Sequence, residues 1–167
     1  RTEFGNPERN AADYRETLKR IFELDNSGKS SQNSPDPPAQ AGGGSDLSRF
    51  PRFDLILLGM GDDGHTASLF PYTEALRETE KTAVENWVEK LESWRFTLTF
   101  PVINNARNVI FLVAGEDKAE TLREVLEGEL RPEKFPAQNV RPKRGEVFWL
   151  IDKNVAKLLR DIDGITD

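Results

Sequence analysis

The feature that most constrains the fold is a short apolar segment, LILL at residues 55–58, which ends at Gly59. Four apolar residues followed by glycine are typical of a strand that is buried on both faces, as in a parallel sheet. The segment NVIFLVAG at residues 108–115 has the same character. It leads into EDKAETLREVLEG, where apolar residues recur at helical spacing and Gly128 is placed to end the helix. These segments predict two buried strands, the second followed by a helix.

Two further segments extend this pattern. RFTLTF, residues 95–100, has Phe96, Leu98 and Phe100 on one side and threonines on the other, which predicts a half-buried strand. EVFWLID, residues 146–152, predicts a last strand, and the helix after it has the apolar face Val155, Leu158, Leu159 and Ile162. Because strands alternate with helices, we predict an α/β protein with a mainly parallel sheet flanked by helices.

The segment before these strands has a different character. Asn6 is a suitable helix cap and Pro7 suits the first helical position, so residues 7–22 predict an amphipathic helix. Residues 26–48 contain Leu47 as their only large apolar residue, too little to offset the entropy lost on ordering. We therefore predict one domain over residues 1–167, interrupted by a flexible low-complexity insertion at residues 26–48.

Composition narrows the range of functions. The 167 residues suffice for one domain with a substantial core, and the net charge of -6 argues against general binding of nucleic acid or membrane surfaces. No apolar run is long enough to span a bilayer, and the start does not resemble a signal peptide. With no cysteine and one histidine, thiol chemistry is excluded and a zinc site is not expected. We predict a cytoplasmic protein without a metal.

The chemistry-bearing stretch is LLGMGDDGHTASLFP, residues 57–71, which contains the single histidine. It follows a predicted strand, and ligands of open α/β sheets bind beyond the carboxyl ends of strands. Its glycines, Gly59, Gly61 and Gly64, permit unusual backbone angles and close approach of a ligand. His65 can exchange a proton near neutral pH, and Asp63 can orient its ring. We expect a helix to start here, with residues 66–68 in its first turn.

Spacing alone leaves two interpretations of this stretch open. One is a catalytic loop, and the other is a tight polar turn with a structural or solvated histidine. The glycines also fit the spacing of a dinucleotide-binding loop. That function is not supported, because no strand with a terminal acidic residue lies about twenty residues further on.

The full stretch resembles the signature of the 6-phosphogluconolactonases. The resemblance continues through NPERNAADYRETL, through RFTLTFPVINNARNVIFLVAGEDKAETLREVL and through GEVFWLID. It covers nearly the whole chain except the insertion. The wider superfamily includes the glucosamine-6-phosphate deaminases, and the resemblance implies their shared α/β fold.

The resemblance also implies an activity and a set of site residues. The expected reaction is hydrolysis of 6-phospho-D-glucono-1,5-lactone, a step of the oxidative pentose phosphate pathway, without metal or cofactor. His65 matches the family's general base and acid, and Asp63 matches its preceding aspartate. The glycine loop would bind substrate. Arg95 and Lys118 match superfamily contacts to the substrate phosphate, whereas without the resemblance each would be assigned as a solvated surface cation.

The sequence discriminates between the related activities and departs from the family in one respect. The deaminases have a glutamate five residues after the signature histidine, where this chain has Phe70, which favours the lactonase. Typical lactonases begin with a glycine-rich phosphate loop and an Asp-Glu-Arg motif, neither of which is found here. The chain therefore looks like the C-terminal two-thirds of such an enzyme. We expect the isolated chain to be weakly active or inactive, and a missing N-terminal segment of the same protein to be its partner. The alternatives are that a second polypeptide completes the protein, or that the chain is a non-catalytic sugar-phosphate-binding fragment.

Overall fold

The computed structural model describes residues 6–22 and 47–160. Most of the predicted insertion, and Ile162 of the last predicted helix, lie outside the described residues. The strands are β1 (Ile56–Leu58), β2 (Ala83–Val88), β3 (Ser93–Leu98), β4 (Asn108–Val113) and β5 (Glu146–Ile151). The helices are α1 (Pro7–Ile21), α2 (Phe100–Ile103), α3 (Ala119–Glu127) and α4 (Lys153–Ala156). Short 3₁₀ turns span Leu47–Arg49, Glu74–Arg77, Glu89–Leu91, Glu116–Lys118 and Pro136–Asn139.

Three strands form a parallel sheet in the order β1-β4-β5, which confirms the predicted α/β class. In this sheet β4 lies in the centre, and Phe111 of β4 stands opposite Leu58 of β1 and Trp149 of β5. The rings of Phe111 and Trp149 stack with centroids 3.9 Å apart. Phe111 is fully buried and belongs to the hydrophobic core formed by the described residues on one face of the sheet.

The opposite face of the parallel sheet is open, so the prediction of strands buried on both faces is wrong for the described residues. In β1, Ile56 and Leu58 are buried whereas Leu57 is 58% exposed. The same alternation runs through β4 and β5. The exposed large apolar side chains of this face are Leu57, Leu112, Phe148 and Leu150. An unbroken apolar run therefore does not mean that both faces are covered within this chain.

The remaining strands form a separate antiparallel hairpin, β2-β3. Strand β2 was not predicted. RFTLTF forms a strand as predicted, up to Leu98, and its threonine side is the more buried, although Phe100 beyond the strand is buried too. Thr97 and Thr99 are buried, at 3% and 0% exposure, because their hydroxyls hydrogen-bond to backbone atoms of neighbouring segments. Phe96 lies on the other side and meets Tyr14 of α1 edge-on, with centroids 5.1 Å apart. Helix α1 thus covers the hairpin rather than the main sheet.

The helices largely follow the sequence pattern. Asn6 caps α1 through its side chain, which accepts a hydrogen bond from the Arg9 amide at 3.0 Å. Helix α3 ends at Glu127 as predicted, and the Gly128 amide donates to the Glu124 carbonyl. Helix α4 is shorter than expected, since it ends at Ala156 and buries only Val155. Both α3 and α4 pack on the same side of the main sheet.

Candidate functional site

The stretch after β1 folds into a compact loop, which brings its polar residues together. The Gly61 amide donates to the His65 carbonyl at 2.9 Å, and the Gly64 amide donates to the Gly61 carbonyl at 3.1 Å. The Thr66 hydroxyl donates back to the Gly59 carbonyl at 2.8 Å. These bonds return the chain to the end of β1, so the loop is fixed by its own main chain.

No helix starts after His65, contrary to our expectation. Thr66 and Leu69 form an isolated bridge, and the Leu69 amide donates to the Thr66 carbonyl at 2.9 Å. Ala67 between them has a φ of 50°, in the left-handed region that a helix cannot accommodate. The segment is a tight turn, which puts the His65 side chain at the start of a bend rather than on a helical surface.

The three signature glycines have different structural roles. A Cβ at Gly61 would collide with Cε1 and Nδ1 of His65, so the missing side chain makes room for the imidazole ring. Gly64 has a φ of +78°, and a Cβ there would lie 2.8 Å from the Phe135 ring. A Cβ at Gly59 would meet no atom within 4 Å. Two of these glycines therefore shape the loop directly, and of the three only Gly64 adopts the positive φ that glycine permits.

Asp63 and His65 form a close pair. Oδ1 of Asp63 lies 2.6 Å from Nδ1 of His65 and also accepts the His65 backbone amide at 3.1 Å. Burial raises the pKa of Asp63, but the hydrogen bonds and charge of His65, together with the Lys90 charge, outweigh it and hold that pKa well below its usual value. The carboxylate is therefore ionised and accepts hydrogen bonds only. Nδ1 of the ring must carry the proton in this contact.

The other side of the imidazole is left for chemistry. The ring stacks on Phe70 with centroids 3.9 Å apart and an angle of 20°. The His65 side chain is still 24% exposed. Because Nδ1 carries the proton, Nε2 of the neutral ring has a free lone pair. No residue that the structure describes forms a hydrogen bond with Nε2, so this nitrogen is available to take a proton.

Two cavities meet at Asp63, whereas His65 is not among the residues that line either of them. One, of about 840 Å³, lies toward the hairpin and is lined by Asp63, Trp87 and Lys90 among others. The second, of about 600 Å³, lies toward α3 and includes Arg131 and Lys134. Asp63, Pro71 and Tyr72 line both cavities. The carboxylate that orients the histidine is therefore accessible from two sides.

Arg95 and Lys118, the predicted phosphate contacts, lie apart from these cavities. Arg95 is exposed on β3, opposite Asn86 of β2. Lys118 is half-buried at the end of the turn before α3, and its Nζ donates to the Ala114 carbonyl at 3.2 Å. Neither side chain lines either of the two cavities. Lys118 does follow β4, whose carboxyl end adjoins that of β1 in the parallel sheet.

Sequence reasoning missed Lys90 and Asp62. The Lys90 ammonium lies 3.0 Å from Asp62 Oδ1 and 3.3 Å from Asp63 Oδ2. A lysine in a turn between two strands carries no pattern that distinguishes it from a solvated surface charge. The carbonyl of Asp62 also accepts the Thr121 hydroxyl at 2.6 Å, which fastens the loop to α3.

Among residues 6–22 and 47–160, no three histidine, cysteine or carboxylate side chains are grouped in a way that could hold a metal ion. Over the same residues, no helix is both long and apolar enough to cross a bilayer.

Comparisons with known proteins identify the family of this chain. Residues 1–149 match the family model described as glucosamine-6-phosphate isomerases/6-phosphogluconolactonase. The 6-phosphogluconolactonase of Synechocystis sp. is 48% identical over 111 residues, which cover 66% of this chain and 45% of that protein. The human 6-phosphogluconolactonase is 46% identical over 110 residues, covering 65% of this chain and 42% of that protein.

A solved structure agrees with the sequence match. The 6-phosphogluconolactonase from Trypanosoma cruzi superposes with a TM-score of 0.68 at 27% identity, covering 92% of this chain and 52% of that one. This chain thus spans about half the length of the relatives it matches, a smaller share than the two-thirds expected. The chain belongs to the glucosamine-6-phosphate isomerase/6-phosphogluconolactonase family.

Proposed function

We propose that the protein to which this chain belongs hydrolyses 6-phospho-D-glucono-1,5-lactone to 6-phosphogluconate, as a carboxylic ester hydrolase of the oxidative pentose phosphate pathway. The observation that carries the proposal is the Asp63–His65 contact of 2.6 Å in a glycine-shaped loop. The relatives named 6-phosphogluconolactonase support the same reaction.

The reaction requires little from the protein beyond one correctly oriented base. The lactone carbonyl is already electrophilic, so activating one water is sufficient for attack. Nε2 of His65 takes a proton from that water, and Asp63 stabilises the imidazolium that forms. The hydroxide oxygen bonds to the carbonyl carbon, the bond from that carbon to the ring oxygen then breaks, and His65 returns the proton to the departing oxygen. No metal or cofactor takes part in this sequence.

Main-chain amides are suited to stabilise the negative charge on the attacked carbonyl oxygen. The amides of Gly61 and Gly64 already donate within the loop. A contact between the glycine loop and the oxyanion would therefore come from the other main-chain amides of the loop. Close approach of substrate to Gly59, which has open space around its Cα, is part of the same proposal.

Arg95 and Lys118 are proposed to bind the substrate phosphate. Arginine binds phosphate through a planar pair of donors, and lysine binds it as a point charge. The position of Lys118 after β4 supports its role, because parallel-sheet ligands gather at the carboxyl ends of strands. Arg95 is supported by its exposure on β3. Each assignment predicts weaker substrate binding when the cation is removed.

The deaminase alternative is disfavoured by the surroundings of His65. The position five residues after the histidine holds Phe70, whose ring stacks on the imidazole. A phenyl ring there cannot transfer protons during ring opening and isomerisation of an amino sugar. Its stacking limits the mobility of the base, which suits hydrolysis that uses one histidine.

We further propose that a segment of the longer protein covers the open face of the parallel sheet. Four large apolar side chains are exposed there, and relatives are about twice as long as the matched region. We accordingly expect this chain alone to hydrolyse the lactone weakly or not at all. The alternative for the isolated chain is a non-catalytic fragment that binds sugar phosphates.

The proposed setting is the cytoplasm, with a phosphorylated sugar lactone as the partner and neither nucleic acid nor membrane bound. The net charge of -6 and the lack of cysteine support it. Fractionation of cells producing the longer protein checks the location. Recovery in an exported or membrane fraction would contradict it.

The function is tested by a coupled assay with freshly prepared lactone on the longer protein and on this chain. We expect turnover by the longer protein that is lost in His65→Ala. Binding without turnover by the longer protein would overturn the proposal in favour of the non-catalytic alternative. Enzyme-like turnover by the 167-residue chain would overturn the expected need for a covering segment.

A further inference from the structure

We propose that Lys90 is a positioning residue, which holds the second carboxylate oxygen of Asp63 so that the first oxygen faces Nδ1 of His65. The importance of this contact for catalysis rests on the proposed lactone hydrolysis. The contact itself is a property of the chain and can be tested without turnover.

The two oxygens of the Asp63 carboxylate contact different partners. Oδ1 receives the ring and the main-chain amide of His65 at 2.6 and 3.1 Å. Oδ2 receives the Lys90 ammonium at 3.3 Å, and the same ammonium lies 3.0 Å from Asp62 Oδ1. With both oxygens engaged from opposite sides, the carboxylate cannot rotate freely about its terminal torsion, which is otherwise broad.

Lys90 is held in place by the hairpin. It stands in the 3₁₀ turn Glu89–Leu91 between β2 and β3, and that turn closes at Glu92, which has a φ of 45°. The buried Asn86 of β2 fastens the hairpin to the segment after His65, because its side-chain amide donates to the Ser68 carbonyl at 2.8 Å. The turn that holds Lys90 and the loop that holds Asp63 and His65 therefore keep a fixed position relative to each other.

The other charged groups around the pair do not substitute for Lys90. Glu89 accepts the indole N–H of Trp87 at 2.8 Å. On the α3 side, Arg131 is paired with Glu124, and Lys134 lies over the Phe135 ring at 5.1 Å. Lys90 is thus the cation that contacts Asp63 among the residues that the structure describes.

A contribution to stability does not account for this contact. The Lys90 side chain is 55% exposed, and exposed ion pairs stabilise a fold very little. The Asp63 side chain is only 24% exposed and already receives two hydrogen bonds from His65. A third contact on such a group restricts orientation more than it stabilises the chain. That restriction determines which ring nitrogen of His65 carries the proton.

The test uses the fact that His65 is the only histidine. Nitrogen-15 NMR of the ring, recorded on its neutral form, reports the ratio of the two tautomers without any assignment. The variants are Lys90→Met, which removes the ammonium, and Lys90→Arg, which keeps a cation. Lys134→Met is the matched control, since it removes a charge beside the second cavity without a contact to Asp63. Amide spectra establish that each variant is folded.

We expect the Nδ1–H form to dominate in the unaltered chain. Lys90→Met should increase the share of the Nε2–H form by about three- to fivefold, the scale of one exposed ion pair. Lys90→Arg should restore the original ratio, and Lys134→Met should leave it unchanged. An unchanged ratio in Lys90→Met, or an equal change in Lys134→Met, would overturn the proposal. If Lys90→Met changes the tautomer ratio as expected but the longer protein does not hydrolyse the lactone, only the proposed function is refuted.

Discussion

Asp63 accepts both the ring N–H and the main-chain N–H of His65 on a single oxygen, at 2.6 and 3.1 Å. The histidine is therefore fixed to the aspartate at two points, one on its backbone and one on its side chain. This double contact sets the direction of the ring relative to the loop. It also explains why the two residues are separated by a single glycine, since the chain must bend tightly between them.

Replacing Asp63 by asparagine should lower kcat of the longer protein by about 10²- to 10⁴-fold. An asparagine amide has nearly the shape of the carboxylate but can donate to Nδ1, which would leave the proton on Nε2 and remove the base. Steady-state kinetics with fresh lactone measure the effect. KM should change far less than kcat, because Asp63 acts on the histidine rather than on bound substrate. A normal kcat in Asp63→Asn would contradict the assigned role.

Alanine at Gly61 should displace the base, whereas alanine at Gly59 should affect only the approach of substrate. The Gly61 Cβ would occupy the space of the His65 ring, whereas a Cβ at Gly59 has no neighbour within 4 Å. We expect a loss of about 10²-fold or more in kcat/KM for Gly61→Ala, the scale of displacing a catalytic group by about 1 Å. The Gly59→Ala variant is the comparison: it leaves the His65 ring in place, so its loss of activity should appear in KM and not in kcat. A loss of kcat in Gly59→Ala equal to that in Gly61→Ala would contradict the role of Gly61 in ring placement.

The sequence predicted the elements with strong periodicity and the residues of the catalytic loop. Helix α1 with its Asn6 cap, helix α3 with its end at Gly128, and the parallel strands β1, β4 and β5 all follow from local patterns. The pairing of Asp63 with His65 is likewise local, because the two residues are two apart in the chain.

Long-range features were not predictable from the same patterns. Strand β2 was missed because AVENWV mixes polar and apolar residues without a clear period. The burial of Thr97 depends on a hydrogen bond with Ser68, 29 residues away. Lys90 reaches Asp63 across 27 residues of chain. Such contacts depend on how the hairpin docks on the loop, which no local pattern encodes.

The Asp63–His65 pair should also stabilise the chain in a pH-dependent way. The pKa of Asp63 is lowered in the folded state, so its stabilisation is fully present above the ordinary aspartate value and is lost as pH falls through the lowered folded value. Near neutral pH, Asp63→Asn should lower the free energy of unfolding by about 1–3 kcal/mol, the scale of a hydrogen bond to a charged group.

The difference in the free energy of unfolding between the unaltered chain and Asp63→Asn should shrink only below about pH 4, where unfolded aspartates take up protons. Urea unfolding at a series of pH values measures it. Asp117→Asn, at an exposed position in the turn before α3, shows the effect of removing a carboxylate charge without touching His65. A stability difference that grows as the pH falls below about 4 would have the wrong sign for this account.

Replacing Leu112 by glutamate should have different effects in the isolated chain and in the longer protein, because a covering segment would bury the open face of the parallel sheet only in the longer protein. Leu112 lies on the central strand β4 and is 51% exposed in this chain. In the isolated chain, Leu112→Glu should change the free energy of unfolding by less than about 0.5 kcal/mol and reduce self-association, since it places a charge in an exposed apolar patch. In the longer protein, the same substitution should cost about 2 kcal/mol or more, because a covering segment would bury the glutamate.

Leu130→Glu is the matched control, since Leu130 is 58% exposed but lies outside every strand. It should have a small effect in both proteins. Thermal or urea unfolding of the two variants in the two proteins, together with light scattering of the isolated chain, completes the comparison. If Leu112→Glu were harmless in the longer protein, the open face would remain uncovered there, and the weak activity expected of the isolated chain would need another cause.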